Sequence, residues 1–322
     1  MDIQVTPLVS VIMTCWNVAS YLSEALASIA AQSWTNFELF MVDDGSSDGT
    51  WLIMQHWVAS DSRFRAIRFP RNQGVVAGRN AGLALASGEF IAMLDGDDVW
   101  APDALVVRLS VAAVFPQADV IATDFSWFED EIPAQPTGRL CLGPHAKKAL
   151  SKSYAKGVPI LLEKPFEVVA TTHFAWVGAT LVRREAMKAV GNFDPTFDGP
   201  EDTLLWLQLA SRGSFAFTPK ITAYYRQRAK SIVSSYRQPK EFHYLKVLYW
   251  LMWRQEFSRV RMVLRPIMAE CHHVCAIHFR RETQWEDASF HASRALKLKP
   301  MSLRYWRDAA VVLLQSPKRQ RN

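Results

Sequence analysis

In the segment EFIAMLDGDD, residues 89–98, an apolar run ends in three closely spaced carboxylates. A short apolar run bounded by Gly and Asp is typical of a buried strand followed by a loop. Two earlier runs have the same form, since FELFMV (37–42) leads into DDGSSDGT and FRAIRF (64–69) leads into NQGVVAGRNAG. Three strands that end in polar, Gly-rich loops therefore frame the first hundred residues.

Helical patterns separate these strands. LVSVIMTC (8–15) predicts a first strand, and in SYLSEALASIAAQS (20–33) apolar residues recur at helical spacing behind Ser20, a candidate N-cap. Strands that alternate with helices indicate βαβ units. We predict an α/β fold in which a mostly parallel central sheet is flanked by helices. Loops at the carboxyl ends of such strands converge on one crevice, where open α/β sheets bind ligands.

The bulk composition is that of a globular protein. The chain has 322 residues, of which 49% are hydrophobic and 21% charged, enough for one sizeable core. No apolar run approaches the roughly 18–20 residues that a spanning helix needs, and LVSVIMTCW (8–16) lacks the basic flank and cleavage site of a signal peptide. The four cysteines have no disulfide-like spacing, which predicts a reducing, cytoplasmic location.

Charge is distributed unevenly along the chain. Residues 1–222 hold 17 Lys and Arg against 24 Asp and Glu, whereas residues 223–322 hold 20 against 7. Such a basic region suits anionic lipid, a phosphorylated substrate or nucleic acid. The alternative is that its aromatic residues form a core and its charges form a solvated face.

The second half of the chain changes character twice. Residues 126–165 are Pro-rich and weakly periodic, which predicts a long loop over the site. Residues 199–213 predict a helix with Pro200 at its first position. From about residue 239 the pattern is wholly helical, and we place a domain boundary near residue 230.

Asp95, Gly96 and Asp97 form an Asp-x-Asp element at a predicted strand end, with Asp98 beside it. Carboxylate oxygens at one turn suit a hard divalent cation such as Mg²⁺ or Mn²⁺, which substrate phosphates commonly share. The alternative interpretation is a solvated acidic turn, because three residues match by chance often.

Two further loops carry candidate ligands. Asp43 and Asp44 end another strand, where a carboxylate can accept hydrogen bonds from a nucleobase or ribose; an ordinary turn with a helix cap is the alternative. Arg79 lies near a helix start, where its guanidinium can approach a diphosphate, although a surface charge is the simpler interpretation.

Taken together, these loops resemble glycosyltransferase family 2, the inverting enzymes of the GT-A fold, over roughly residues 8–230. Five segments stand in the family's order and approximate spacing: VSVIMTCWN (9–17), SIAAQSWTNFELFMVDDGSSDGT (28–50), NQGVVAGRNAGLALASGEFIAMLDGDDVWAPDAL (72–105), VRREAMKAVGNFD (182–194) and GPEDTLLWLQLASRG (199–213).

The resemblance implies a fold, a division of the chain and a reaction. Residues 1–230 would form a GT-A catalytic domain, with a nucleotide-sugar half at about 1–115 and an acceptor half at about 116–230, and residues 231–322 an all-α basic extension. The reaction would be inverting, Mn²⁺- or Mg²⁺-dependent transfer from a nucleotide diphosphate sugar, a UDP-sugar first of all. The acceptor would be a hydroxyl of a saccharide or lipid-linked molecule in surface polysaccharide or glycolipid synthesis.

The resemblance also assigns roles by position. Asp202 would be the general base, with Glu201 beside it, and Asp97 and Asp95 would hold the metal. From the residues alone, Glu201 and Asp202 are equally well explained as charges that stabilise a helix N-terminus. The nucleotide-sugar contacts would come from Thr14, Trp16, Asp43, Asp44, Arg79, Asp95, Asp97 and Arg228.

Two of these positions depart from the family pattern. Trp16 stands where the family usually has Tyr, and an indole can still stack on a base. Arg228 stands where the family usually has His in the segment YYRQRAKSIVSS (224–235). A permanent cation there can pair with a departing diphosphate but cannot ligate a metal as imidazole does.

Other hypotheses remain for the chain and its C-terminal part. A sugar nucleotidyltransferase would leave Glu201 and Asp202 without a role, and a non-catalytic nucleotide-sugar binding protein would not need an intact site. For the basic helices we favour peripheral contact with the inner face of a membrane over nucleic acid, for which no motif is present. Cys271, Cys275 and His278 align on a predicted helix as zinc ligands or as a core face.

Overall fold

The computed structural model describes residues 6–138, 144–172, 174–228 and 237–315. The chain divides by its contacts into two compact units. The first comprises Met1–Phe197 and Leu205–Arg228, and the second comprises Asp198–Leu204 and Ala229–Asn322.

Four parallel strands form one half of the central sheet of the first unit, in the order β3-β2-β1-β4. β1 and β2 consist largely of Val, Ile, Met, Leu and Phe and are almost wholly buried, as parallel strands covered on both faces are. The strands and the helices that connect them are β1 (Val9–Cys15), α1 (Ala19–Ala30), β2 (Phe37–Asp43), α2 (Thr50–Ser60), β3 (Phe64–Arg68), α3 (Val75–Leu85) and β4 (Phe90–Met93).

The other half of the sheet mixes strand directions. Its elements are β5 (Val99–Trp100), α4 (Ala104–Val114), β6 (Val120–Phe128), α5 (Pro144–Lys156), β7 (Ile160–Leu161), α6 (Pro165–Thr172), β8 (Thr180–Arg183), α7 (Arg184–Val190), α8 (Glu201–Ala210) and β9 (Phe215–Arg226). β8 lies antiparallel between β4 and β6, and β9 pairs in parallel with β6 over most of its length. The predicted α/β class with a mostly parallel sheet is confirmed.

The long loop predicted over residues 126–165 is partly wrong. β6 continues to Phe128, and α5 and β7 lie within the segment. Leu150 of α5 is fully buried, and the Tyr154 ring lies 5.6 Å from that of Phe217 on β9. The helix has few apolar residues, so its sequence shows no sustained period, and packing on β9 decides its conformation.

Ser20 is not the N-cap of α1. The helix begins at Ala19, and its first free N–H groups are satisfied from a distant loop. Ala19 N–H donates to Asp48 Oδ2 at 3.1 Å, and Val18 N–H donates to Thr50 Oγ1 at 3.0 Å. A tertiary contact therefore replaces the local cap that the sequence predicted.

The second unit is helical from residue 240 onward, as predicted, with α9 (Lys240–Trp253), α10 (Arg261–Arg281), α11 (Trp285–Leu298) and α12 (Leu303–Gln315). Small residues such as Ala269, Ala292 and Ala309 allow α10, α11 and α12 to pack closely. Among the helices described here, none combines the length and apolar character that a membrane span requires.

Candidate active site

Parallel pairing brings three strand ends to one edge of the sheet. Cys15 of β1 lies in register with Asp43 of β2, and Ile12 lies in register with Met93 of β4. The β1–β4 ladder continues past β4, because Gly96 N–H donates to the Thr14 main-chain oxygen at 3.2 Å. The predicted convergence of these loops is therefore observed, with the acidic turn 95–98 beside the end of β1.

Asp95 is held by two of the predicted site residues. Thr14 Oγ1 donates to Asp95 Oδ1 at 3.2 Å, and Arg79 Nη2 lies 3.1 Å from Oδ1 and 3.3 Å from Oδ2. The Arg79 side chain is 5% exposed and lies over the Phe193 ring at 5.3 Å. Arg79 is thus a buried partner of the acidic turn and not the surface charge of the simpler interpretation.

Asp97 faces a second arginine. Arg228 Nη2 lies 2.5 Å from Asp97 Oδ2, and the guanidinium also lies over the Tyr21 ring at 5.4 Å. The Arg228 side chain is 27% exposed, against 14% for Asp97. Arg228 therefore lies beside the Asp-x-Asp element, and its contact with a diphosphate stays a prediction.

Arg226 is a site residue that the sequence interpretation missed. Its guanidinium donates to the main-chain oxygens of Asp97 at 2.9 Å and Glu129 at 3.1 Å, and it forms an ion pair with Glu24. Its main-chain N–H donates to Asp98 Oδ1 at 2.8 Å. The signal was available, because Arg226 lies two residues before Arg228 in the sequence and residues two apart in an extended segment share a face. Arg226 is the last residue of β9, and Arg228 lies just beyond the strand.

Burial and mutual repulsion raise the pKa values of two carboxyl groups in the turn. Burial is the largest cause for Asp97, followed by the charge of Asp95, while Arg228 acts in the opposite direction. Burial also raises the pKa of Asp98 well above its usual range, with Asp97 and then Asp95 adding to the effect. The crowded negative charge favours a bound cation.

The donor atoms fit a divalent cation only in part. No group of three or more His, Cys, Asp or Glu within the described ranges is arranged to hold a metal ion by itself. Asp95 and Asp97 offer hard oxygen ligands, and Mg²⁺ sites commonly combine one or two carboxylates with water and substrate phosphates. A two-carboxylate site of that kind fits these residues, although Arg79 and Arg228 occupy the same carboxylates.

Asp43 and Asp44 have structural partners. Asp43 is fully buried, pairs with Arg68 Nε at 3.0 Å and accepts from Ser46 N–H at 3.0 Å. Asp44 accepts from the main-chain N–H groups of Gln73 at 2.6 Å and Gly74 at 2.9 Å. Both therefore organise the loops after β2 and before α3, and their contact with a nucleotide stays a prediction.

Gly45, between these carboxylates and the helix α2, is required by the backbone. Its φ is 71°, and a Cβ there would lie 2.6 Å from the Arg71 carbonyl carbon. Such a position accepts only glycine without rearrangement. The loop after β2 is thus packed directly against the loop before α3.

Trp16 remains available for a ligand. It follows β1 directly and is 51% exposed, which is unusual for so large an apolar side chain. The next residue, Asn17, has φ 51° and its Oδ1 accepts from Ser47 N–H at 2.9 Å. A rigid turn therefore presents the indole at the edge where the strand ends meet.

Glu201 and Asp202 form the first turn of α8, as predicted, in the segment Asp198–Leu204 that is grouped with the second unit. Pro200 precedes the helix and does not occupy its first position. Asp202 Oδ1 accepts from Thr203 N–H at 2.6 Å. The roles of Asp202 as base and of Glu201 beside it stay predictions.

The Cys271, Cys275 and His278 segment does not have the character of a zinc site. Both thiols are buried, burial raises the pKa of each to about 12, and no group of three or more His, Cys, Asp or Glu in the described part of the chain is arranged around a metal position. Neighbouring His272 instead joins a buried network, with Nδ1 2.8 Å from His291 Nδ1 and Nε2 2.8 Å from the Tyr249 hydroxyl.

Comparison with known proteins agrees with the geometry. The sequence model of glycosyl transferase family 2 matches residues 10–191. The Escherichia coli protein WfgD, a UDP-Glc:alpha-D-GlcNAc-diphosphoundecaprenol beta-1,3-glucosyltransferase, is 38% identical over 104 residues, which are 32% of this chain and 40% of WfgD. The matched regions cover only 20% to 54% of the length of the curated relatives compared.

Solved structures match over nearly the whole chain. Staphylococcus aureus TarS 1–349 in complex with UDP-GlcNAc is similar with a TM-score of 0.62 and 19% identity, over 95% of this chain and 79% of TarS 1–349. The mannosyltransferase PcManGT from Pyrobaculum calidifontis, in complex with GDP-Man and Mn²⁺, has a TM-score of 0.59 and 17% identity, over 98% of this chain and 83% of PcManGT. These similarities confirm the GT-A fold.

Proposed function

Since this chain belongs to glycosyl transferase family 2, we propose that it transfers a sugar from a nucleotide diphosphate sugar to a hydroxyl group of a saccharide or lipid-linked acceptor. The observation that carries the proposal is the acidic turn 95–98 with its arginines, set at the carboxyl edge of the sheet. Ligands of open α/β sheets bind at this edge. The domain division proposed with it is a catalytic domain of residues 1–230 followed by a basic helical region.

The donor would lie along the ends of β1, β2 and β4. The exposed indole of Trp16 offers a stacking surface for a base. Thr14 and Asp95 lie together beside it, and Arg79 and Arg228 offer guanidinium groups for the diphosphate. A divalent cation on Asp95 and Asp97, when bound, would supply positive charge to the diphosphate leaving group.

The acceptor hydroxyl would be activated by Asp202. We propose that its carboxylate takes the hydroxyl proton while the oxygen attacks the anomeric carbon from the face opposite the nucleotide. One such displacement inverts the configuration at that carbon. Glu201, the other carboxylate in the first turn of α8, would orient the acceptor.

The named relatives support a role in surface polysaccharide or glycolipid synthesis. WfgD acts on a diphosphoundecaprenol acceptor, and a Bacillus subtilis relative is named for teichuronic acid biosynthesis. One structural neighbour holds UDP-GlcNAc and another holds GDP-Man with Mn²⁺. We propose a UDP-sugar as the first donor to test, and Mn²⁺ or Mg²⁺ as the cation.

We also propose that the second unit contacts the inner, cytoplasmic face of a membrane. The turn between α11 and α12 exposes Met301 (91%), and the first turn of α12 exposes Leu303 (84%) and Trp306 (56%). Exposed basic residues lie close to them in the sequence: Lys297, Lys299, Arg304 and Arg307. Apolar side chains flanked by Lys and Arg suit an anionic lipid surface, which would bring the enzyme to a lipid-linked acceptor.

A lipid flotation assay tests this contact. The triple change Met301→Ser, Leu303→Ser and Trp306→Ser should abolish flotation with anionic vesicles, whereas Leu52→Ser should not. Leu52 is 70% exposed on α2 and serves as a matched exposed leucine. Equal flotation of the two variants would contradict the proposed membrane contact.

Donor hydrolysis tests the enzymatic proposal. UDP-, GDP- and dTDP-sugars are incubated with the full chain, with and without Mn²⁺ or Mg²⁺, and product nucleotide is measured. Asp97→Asn should lose metal-dependent turnover, and Asp202→Asn should lose transfer to an acceptor while still binding donor. Asp103→Asn is the control, because Asp103 is 43% exposed and pairs with Lys220 at the surface.

Two outcomes would favour the other hypotheses. Nucleotide-sugar binding without turnover for any donor or acceptor would indicate a non-catalytic binding protein. Formation of a nucleotide sugar from a nucleoside triphosphate and a sugar phosphate would indicate a nucleotidyltransferase.

A further inference from the structure

The three arginines at the acidic turn are anchored to different degrees. Arg79 contacts both oxygens of Asp95, and its side chain is 5% exposed. The Arg226 guanidinium donates to two main-chain oxygens and pairs with Glu24. Arg228 has a much looser attachment. Its side chain is 27% exposed and is held to Asp97 by one Nη2–Oδ2 contact of 2.5 Å.

Part of the Arg228 guanidinium is unused. Its Nε is buried and has no hydrogen-bond acceptor among the residues that the structure describes. A buried donor of this kind is costly unless an acceptor arrives. Nε and Nη2 together form the fork that binds phosphate oxygens in a bidentate manner, so the group is prepared for a partner that Asp97 alone does not supply.

Asp97 is the carboxylate of the turn that pairs with Arg228. Asp98 is 1% exposed and accepts from the Arg226 main-chain N–H, and Asp95 accepts from Thr14 and pairs with Arg79. A divalent ion held by Asp97 would take Oδ2 as a ligand. The Arg228 guanidinium already occupies this oxygen, and two positive groups there would repel each other.

We propose that the Arg228 guanidinium pairs with Asp97 in the free protein and so prevents a divalent ion from binding there. A diphosphate that accepts hydrogen bonds from the guanidinium would remove this obstacle. Metal alone then binds weakly, because it must displace Arg228. When the diphosphate accepts hydrogen bonds from Nε and Nη2, Asp97 is released to the metal. Metal and nucleotide therefore strengthen each other's binding by the same factor.

The inference rests on the proposed function only in the identity of the diphosphate. Competition between Arg228 and a divalent ion at Asp97 follows from the geometry of the free protein. It can be measured with the metal alone, in the absence of any sugar donor.

The first measurement is Mn²⁺ binding to the full chain by electron paramagnetic resonance of the free ion. Arg228→Gln should bind Mn²⁺ at least about tenfold more tightly than the wild type, because the competing charge is gone. Arg228→Lys keeps the charge and should stay within about threefold of the wild type. Asp97→Asn should lose Mn²⁺ binding. Arg65→Gln removes an arginine on β3 whose side chain is 65% exposed, and it should leave the Mn²⁺ affinity unchanged.

The second measurement is the affinity for UDP and for GDP in the absence of metal, which is detected by tryptophan fluorescence. Arg228→Gln should weaken it at least about fivefold, since the fork that binds phosphate is lost. The two expected effects have opposite signs, tighter Mn²⁺ and weaker nucleotide. A purely structural role for Arg228 would weaken both, and Arg228→Met provides a second neutral side chain if the glutamine variant folds poorly.

The outcomes separate this inference from the proposed function. Mn²⁺ affinity in Arg228→Gln within twofold of the wild type, or undetectable in both, overturns the competition at Asp97. Failure of the wild type to bind any nucleotide would instead count against the proposed function, and the Mn²⁺ comparison would still decide the role of Arg228.

Discussion

Replacing Arg226 with methionine tests how far this buried side chain holds the acidic turn in place. The side chain is 5% exposed, and its guanidinium donates to the main-chain oxygens of Asp97 and Glu129. It also lies over the Phe128 ring at 4.2 Å. Methionine retains much of this apolar contact and removes every donor, so the change isolates the polar contribution.

The expected loss of unfolding free energy follows from the contacts of the Arg226 side chain. A hydrogen bond from a charged donor contributes about 1.5–3 kcal/mol, so the two carbonyl acceptors together account for at least about 3 kcal/mol. Glu24 is half exposed, and its ion pair adds less than about 1 kcal/mol. In a unit of this size 1 kcal/mol corresponds to about 2–4 °C in Tm, which predicts a decrease of at least about 6 °C.

Thermal unfolding of the full chain by circular dichroism measures this decrease. Lys220→Met is the control, because Lys220 and Asp103 form an ion pair whose side chains are 56% and 43% exposed, and such surface pairs contribute less than about 1 kcal/mol. A Tm for Arg226→Met within about 2 °C of the control would contradict this prediction, since it would mean that the turn keeps its carbonyls satisfied without the guanidinium.

Three further predictions concern other parts of the chain. Gly45→Ala and Gly74→Ala should both lower the free energy of unfolding measured with denaturant, because both positions have positive φ, and the loss should be larger for Gly45→Ala, because only a Cβ at Gly45 meets backbone. Trp16→Ala should weaken UDP binding about tenfold, since stacking on a base is worth about 1–3 kcal/mol; a Tm loss above about 3 °C would indicate a structural role instead. Burial, followed by the neighbouring His291, lowers the pKa of His272 to about 4, so the unfolded state takes up the proton first and stability should fall as pH decreases from about 6.5 toward 4. Between pH 7 and 4.5 the Tm of His272→Asn should therefore fall less steeply than that of the wild type, and equal slopes of Tm against pH would contradict this.

The sequence predicted much of the first half of the fold because the relevant signals are local. Short apolar runs that end in Asp and Gly mark β1, β2 and β4, and their boundaries agree with the structure to within one or two residues. The GT-A fold was implied by the resemblance of five ordered segments to glycosyltransferase family 2, and the structural neighbours confirm it. The helical second unit was likewise visible in its period of apolar residues.

The misses arise where distant segments determine local structure. Asp48 caps α1 in place of Ser20, and α5 forms in a segment with few apolar residues because it packs on β9. Residues with a sequence-predicted ligand role were also found with structural partners, as Asp44 was with the loop before α3. In each case, the deciding contact joins residues that are far apart in the chain.

The ends of the strands and the charged residues that follow them can be identified from the sequence, because both depend on neighbouring residues. The pairing of those charges depends on the packing of distant segments. β8 enters antiparallel between β4 and β6, and the end of β9 with the residues that follow it places Arg226 and Arg228 against a turn some 130 residues earlier in the chain. No local pattern encodes that pairing, since it is selected by the burial of the whole sheet and by the need to neutralise carboxylates that burial has removed from water.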